Sequence, residues 1–280
     1  MYSTTLPLAA TTTFAHPKMS DRYAHVTSSE IADVLQQDGW RLDSGQQART
    51  HGCAGNEAHT KHLLRFSHPE IGTRERNSAE GGIRPQVILY NASNGTSALR
   101  MGLGLYRFVC ANGIATGEQF SQFRVTHRGS NLTEQVVAHA ATLRQSAHQM
   151  LDVIDRWRAT KLAQADLAEF AAAAIRLRAP DAEMVWTQVS WNPETAPRKQ
   201  HVAAAQFIRP TRPADAEDNL WNVFNRAQES LINGRYRTIK PVGEDDWKAS
   251  TVRRVSGLGR SLRLNQDLWD LATEMDLVLN

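Results

Sequence analysis

The chain is poor in cysteine: Cys53 and Cys110 are the only two among 280 residues. Two cysteines build no disulfide framework, which excludes the stapled secreted scaffolds and fits a reducing cytoplasm. Long apolar runs are also missing. Nothing approaches the roughly 18 to 20 apolar residues that span a bilayer, so no membrane is expected as a partner. The opening MYSTTLPLAATTTFAHPKMS has little basic charge and no continuous apolar core, unlike a secretory signal. Residues 1–26 are expected to form a flexible leader. Acids are scarce on the strand-like segments. Glu118 and Glu229 are isolated, and Glu244-Asp245-Asp246 sits in a loop-like stretch. A metal-dependent nuclease needs converging carboxylates, so that chemistry is disfavoured. The net charge of +3 is too small to demand a nucleic-acid partner by itself.

What is present is ordinary globular material, 41% hydrophobic and 22% charged. The charge is unevenly placed. Arg226 to Arg263 holds nine Lys or Arg against four acids, and such a region attracts phosphates through counterion release.

Thr27-Ser28-Ser29-Glu30 is a capping box that opens a helix closed by Gly39. Trp40 to Ser44 reads as extended. Lys61 to His68 alternates, with His62, Leu64, Phe66 and His68 on one face. Glu70 to Arg84 is charged and loop-like. Gln86 to Tyr90 is a strand, and Ser93-Asn94-Gly95 predicts a tight hairpin. The return strand, Ala98 to Tyr106, carries Leu99, Met101, Leu103 and Leu105 on one face and Arg100, Gly102 and Gly104 on the other. Two glycines flatten that face and permit close approach of a ligand or another backbone. Phe120 to His127 is a further strand. A long helix starts near Asn131, with Val136, Ala140, Leu143, Ala147, Met150, Ile154 and Trp157 in an amphipathic stripe. Helices are expected from Gln164 to Arg178, from Ala216 to Asn233, and after Asn265 as a cap. The proline-punctuated segment 193–213 reads as linker-like, between an α+β core at 27–192 and a helical region at 214–280. The fold class predicted is α+β: a mostly antiparallel β-sheet with a long helix packed on one face, plus a mainly helical C-terminal part.

Three stretches carry a family resemblance. Tyr90-Asn91-Ala92-Ser93-Asn94-Gly95-Thr96-Ser97-Ala98, Gly104 to Gly113 and Leu220 to Glu229 followed by Gly234 resemble signatures of the phage/plasmid-like protein family, domain-of-unknown-function family 932. That resemblance implies a setting on phages, plasmids and bacterial genomes, and hence a bacterial cytoplasm. It supplies no catalytic residues to transfer, and no cofactor is expected.

Four chemistries compete for the polar residues. His51, Cys53, His59, His62 and His68 are zinc-type ligands, but their spacing matches no standard finger. Cys110 and His127 would suit a hydrolase only if they touch. Trp221, Asn225, Gln228 and Glu229 line one helix face that could contact a host enzyme, as an inhibitor or recruiter would. The cations Lys61, Arg65, Arg100, Arg107, Arg124 and Arg128, interleaved with Tyr90, Tyr106 and Phe120, suit single-stranded nucleic acid, where charge holds phosphates and rings stack on bases. Arg253 and Arg254 add charge. The order of three strands then a helix resembles single-strand annealing proteins of phage recombinases, which implies a homo-oligomer. The expectation is therefore a binding protein rather than an enzyme, acting on nucleic acid, with single-stranded DNA favoured, in mobile-element replication or recombination.

Overall fold

The computed structural model describes residues 5–50, 56–72, 82–107, 113–115, 123–127, 132–180, 183–185, 201–234, 236–241 and 247–280. Its helices in chain order are α1 (Leu8–Thr11), α2 (Ser28–Gln37), α3 (Leu132–Ala159), α4 (Gln164–Arg176), α5 (Ala204–Phe207), α6 (Leu220–Asn233) and α7 (Leu258–Leu279). Its strands are β1 (Arg41–Gln47), β2 (His62–Ser67), β3 (Ile83–Asn91), β4 (Leu99–Arg107), β5 (Gly113–Ala115), β6 (Phe123–Val125), β7 (Glu183–Val185), β8 (His201–Ala203), β9 (Arg237–Pro241) and β10 (Trp247–Thr251). The fold is α+β. The chain divides into two compact units, Met1–Asp152 and Val153–Asn280, with the division inside α3. Among the described residues no helix is long and apolar enough to cross a membrane.

The first unit is built on alternation. Strands β1 to β5 run antiparallel in spatial order β1-β2-β3-β4-β5, and β6 also pairs with β4. Register puts Leu64, Leu89 and Met101 in one row, and Phe66, Val87 and Leu103 in the next; all six are buried. Each such side chain contributes roughly 1.5–3 kcal/mol by leaving water. Helix α3 lies over this face. Val136, Ala140, Leu143, Ala147 and Met150 are buried, and His139 stacks on Phe123 with ring centroids 5.0 Å apart. Phe123 stands opposite Met101, which fixes the side of the sheet the helix covers. Helix α2 begins as its sequence demands: Glu30 N donates to Thr27 Oγ1 at 3.3 Å, and Thr27 N donates to the Glu30 carboxylate at 3.4 Å. Gly39 ends the turn at φ +92°, and a Cβ there would lie 2.6 Å from His68 Nε2.

The second unit collects rings. Trp157, at the end of the α3 stripe, meets Trp269 at 4.5 Å and Phe224 at 5.6 Å, and Trp221 stacks on Phe224 at 5.7 Å. All four are at most 2% exposed. A four-stranded sheet, β10-β9-β8-β7, completes this unit; β7 and β8 are parallel and the other pairs antiparallel. The stretch 193–213 contributes β8, α5 and a 3-10 turn at Pro213–Asp215 to this unit, residues 186–200 lying outside the described set.

Several boundaries differ from the sequence reading. β3 starts at Ile83, because Arg84 and Ile83 extend the ladder against Tyr106 and Arg107. The β3–β4 connection is longer than a two-residue hairpin: pairing stops at Tyr90↔Arg100. Asn94 Oδ1 instead takes hydrogen bonds from Thr96 N and Oγ1, an Asx-type local turn, and Gly95 sits at φ +73°. Asn265 is no cap. Helix α7 begins at Leu258, and Asn265 is buried within it, accepting from Gln228 Nε2 at 3.0 Å. A buried Asn needs partners, and one inside a helix can find them across a helix–helix contact.

Phe224→Ala is expected to cost about 3–5 kcal/mol, the range for emptying a large aromatic site in a packed core, read as a lower urea midpoint. Gly234→Ala is expected to be destabilising too. Its φ is +70° and its new Cβ would meet the Val252 carbonyl oxygen at 2.2 Å, a backbone atom that cannot swing aside.

Candidate nucleic-acid interface

The face of the first sheet opposite the Leu64–Leu89–Met101 row is different in kind. Arg65 stands beside Ile88 and Gly102; Leu63 beside Tyr90, Arg100 and Arg124; Ser67 beside Gln86 and Gly104; and Arg84 takes the position opposite Tyr106. Lys61, one residue before β2, keeps the same alternation, and its carbonyl accepts from Ala48 N. Arginines from four strands therefore share one side of the sheet. Arg124 is exposed, while Lys61, Arg65, Arg84 and Arg100 are half-buried. Arg100 Nε is buried with no hydrogen-bond partner among the described residues.

One carboxylate reaches this side among the described residues. Asp43 stands at the β1 bulge, between Leu42 and Ser44. It accepts from Ser67 Oγ at 2.8 Å and Gln86 Nε2 at 2.6 Å, and lies 3.9 Å from the Arg84 guanidinium. Arg100 and Arg124 face each other directly across β4 and β6. Like charges at directly opposed positions are destabilising.

The sequence reading of this surface needs amendment. Arg65, Arg100 and Arg124 share one side of the sheet. Arg84, read as part of a loop, joins them; the signal was its even spacing from Gln86 within an alternating run. Tyr90 does not offer an open ring, being 5% exposed between Leu63 and Arg100. The centre of this face, Leu63, Ile88 and Tyr90, is buried, so the arginines border a covered apolar patch. Tyr106 and Arg107 close β4 opposite Arg84 and Ile83, their side chains lying outside the described set. Phe120 and Arg128 lie outside the described residues. Arg253 and Arg254 are exposed and belong to the second unit.

The Asn91–Ser97 motif does something the sequence did not reveal. Asn91 Nδ2 donates to Ser28 Oγ at 3.1 Å and Asn91 Oδ1 accepts from Ala92 N at 2.8 Å. Ser28 Oγ lies 2.7 Å from His62 Nε2, and His62 Nδ1 donates to the Thr60 carbonyl at 3.1 Å. Ser93 Oγ bonds His59 Nδ1 at 2.9 Å, and the Ser93 carbonyl accepts from His16 N at 2.9 Å. His127 Nδ1 lies 3.2 Å from the Ala24 carbonyl and Nε2 3.0 Å from Asn91 Oδ1; both oxygens only accept, so the neutral ring donates to one of them, and it stacks on Tyr23 at 4.7 Å. Tyr23, donating to the Ala92 carbonyl, has its phenol pushed up to about 12 by burial. Burial likewise drives His62 down to about 4 and lowers His59 and His127.

These contacts bear on the competing chemistries. Ser28 and His62 have the separation of a nucleophile and its base, yet they are 2% and 1% exposed and both are spent on structural bonds. His127 is buried between the Ala24 carbonyl and Asn91 Oδ1, and Cys110 lies outside the described residues. His59 and His62 are tied to Ser93 and Ser28, and His68 packs edge-on against Trp40 at 5.4 Å; His51 and Cys53 lie outside the described residues. The helix face suggested for a host enzyme is not a surface. Trp221, Asn225 and Gln228 are buried, because α6 is covered all round from Leu220 to Gln228, and Glu229 is held by Arg212 at 2.7 and 3.0 Å.

An antiparallel sheet with a helix on one face, a basic opposite face and a polar clasp at the β3–β4 turn define an α+β protein whose signature residues serve the fold first. Residues 15–269 match the family described as Domain of unknown function (DUF932), and the chain belongs to that family. It is similar to UPF0380 protein YafZ of Escherichia coli (strain K12), 30% identical over 257 residues that cover 92% of this chain and 84% of that protein. UPF0380 protein YfjQ of the same organism is 28% identical over the same shares of the two chains. No solved structure matches.

The clasp predicts a pH dependence. Folded, His62 stays neutral until the pH nears its lowered pKa of about 4; unfolded, it takes a proton near 6.5, so the unfolded chain binds more protons between these values. Stability from this group is complete above pH 6.5 and is lost as the pH falls toward 4. The lost amount is roughly 3 kcal/mol. Thermal melts from pH 7 to pH 4.5 should show this fall, and His62→Gln should flatten it while lowering the pH 7 melting temperature.

Proposed function

We propose that this protein binds nucleic acid, single-stranded DNA in preference, through the arginine side of its first sheet. The observation that carries this reading is the Arg100–Arg124 pair, two guanidinium groups opposed across neighbouring strands with no carboxylate between them among the described residues. A phosphate placed there turns repulsion into attraction and accepts the forked donors of arginine. Arg65, Arg84 and Lys61 extend the same charge along the sheet, and Arg253 and Arg254 add exposed cations from the second unit. Phosphate contacts of this kind carry affinity without base sequence, as a protein of replication or recombination on mobile elements requires. No cofactor is needed for this activity. It belongs in a bacterial cytoplasm, and self-assembly along a strand would suit it.

Gel shifts with single- and double-stranded oligonucleotides across a salt series test this. Binding should weaken steeply with salt, and Arg100→Ala or Arg124→Ala should each lower the log–log slope by about 1. Because the pair is repulsive, Arg124→Ala should keep or raise the melting temperature while weakening binding. Absence of any complex at low salt would overturn the reading.

A further inference from the structure

The second unit holds a cleft of about 690 Å³ that the sheet of the first unit does not use. Its walls come from α5 and the turn after it (Gln206, Arg209, Thr211), from α6 (Arg226, Glu229), and from β9 and β10 (Arg237, Thr251). That volume falls in the range of roughly 300–1,000 Å³ typical of pockets for small ligands.

The charges of the cleft do not balance. Its one described carboxylate, Glu229, is already satisfied: Arg212 grips it bidentately at 2.7 and 3.0 Å, and Thr211 Oγ1 donates to it at 2.9 Å. Arg226 is fixed in the wall. Its Nε donates to the Asp215 carbonyl at 2.6 Å, one terminal nitrogen to the Glu217 carbonyl at 2.7 Å, and the other to Asp218 at 2.8 Å. Arg226 is 5% exposed and cannot swing outward. Arg209 and Arg237 are different. Both are exposed at the cleft, and neither side chain has a hydrogen bond or ion pair among the described residues. Two arginines with no side-chain partner among the described residues therefore line a space whose one described acid is spent. Gln206 and Thr251 add neutral donors.

We propose that this cleft binds a small phosphate ester of nucleotide size, with Arg209 and Arg237 gripping its phosphate oxygens. Arginine's planar fork matches phosphate in pairs of parallel hydrogen bonds, and two forks on one ligand favour a di- or triphosphate over a single carboxylate. Arg226 and the saturated Glu229 hold the walls in place, so the ordering that accompanies binding falls on the Arg209 and Arg237 side chains. The site is independent of the arginine side of the first sheet.

Isothermal titration of the full chain, at low salt and without divalent metal, tests the site with ATP, inorganic pyrophosphate and adenosine. ATP and pyrophosphate should bind one to one, and adenosine should give no heat. The Arg209→Gln, Arg237→Gln double variant should bind both anions about tenfold more weakly or worse, the loss of charged hydrogen bonds. Circular dichroism should show it folded, since both side chains are exposed. The double Lys variant should lie between, keeping the charge but not the fork. Heat from neither anion at millimolar concentration would overturn the proposal, as would adenosine binding as well as ATP. So would a glutamine variant that retains ATP but loses oligonucleotide binding.

Discussion

A buried amide must be satisfied on both its ends, and Asn91 is where the first unit meets that demand. The directions follow one another. The Thr60 carbonyl can only accept, so His62 Nδ1 carries a proton and Nε2, on a neutral ring, has a lone pair. The Ser28 hydroxyl must then give its single hydrogen to His62 Nε2, so Ser28 Oγ accepts from Asn91 Nδ2. That leaves Asn91 Oδ1 to take the Ala92 N–H. Each step removes a choice from the next, and no member can rotate alone without stranding a neighbour.

The clasp ties together pieces that are far apart in the chain. Ser28 opens α2, His62 opens β2, Asn91 closes β3, and His127 follows β6. The segment before α2 is drawn in by the same groups: His16 N donates to the Ser93 carbonyl, Ala24 N to the His127 carbonyl, and the Val26 carbonyl accepts from Asn91. A polar leader is thereby docked without a large apolar surface of its own. The cost of burying so many polar atoms is offset only if each is paired, and among the described residues His25 Nδ1 is buried without a hydrogen bond.

How much of this was readable depends on whether the signal is local. Alternation in β2 and β4, the capping box at Thr27–Glu30 and the stripe from Val136 to Trp157 are short-range patterns, and each produced the element it predicts. The stripe even marked every position of α3 that is buried among the described residues. Partners across the chain left weaker traces. Nothing near Asn265 announces that Gln228 will meet it, so a helix-interior asparagine looked like a cap. Trp221 and Gln228 looked like an open face because their spacing puts them beside, not within, the apolar stripe; the neighbours that cover them come from α7 and other distant segments. The arginine side was half legible. Parity within β2 and β4 fixes the sides of Arg65 and Arg100, but only the register between strands shows that Arg124 opposes Arg100.

That opposed pair separates two uses of surface charge. An arginine that stabilises a fold finds a carboxylate, as Arg156 does with Asp276 at 2.6 Å and Arg212 does with Glu229. Two arginines held face to face do the reverse. Their Cβ atoms are set roughly 5 Å apart by strand geometry, and backbone hydrogen bonds, not side-chain attraction, keep them there. The repulsion is modest near solvent and fades with salt. Asp43 cannot relieve it, since Ser67 and Gln86 already occupy its oxygens and Arg84 is the cation beside it. The register therefore places two like charges opposite each other, which folding alone does not require. Under the proposed reading an anionic ligand would relieve that repulsion, with less side-chain freedom to lose at half-buried Arg100 than at exposed Arg124. The same accounting explains why the charge is set on strands. A strand fixes where each side chain starts, so neighbouring positions are set about 3.4 Å apart along a strand and about 4.8 Å apart between strands.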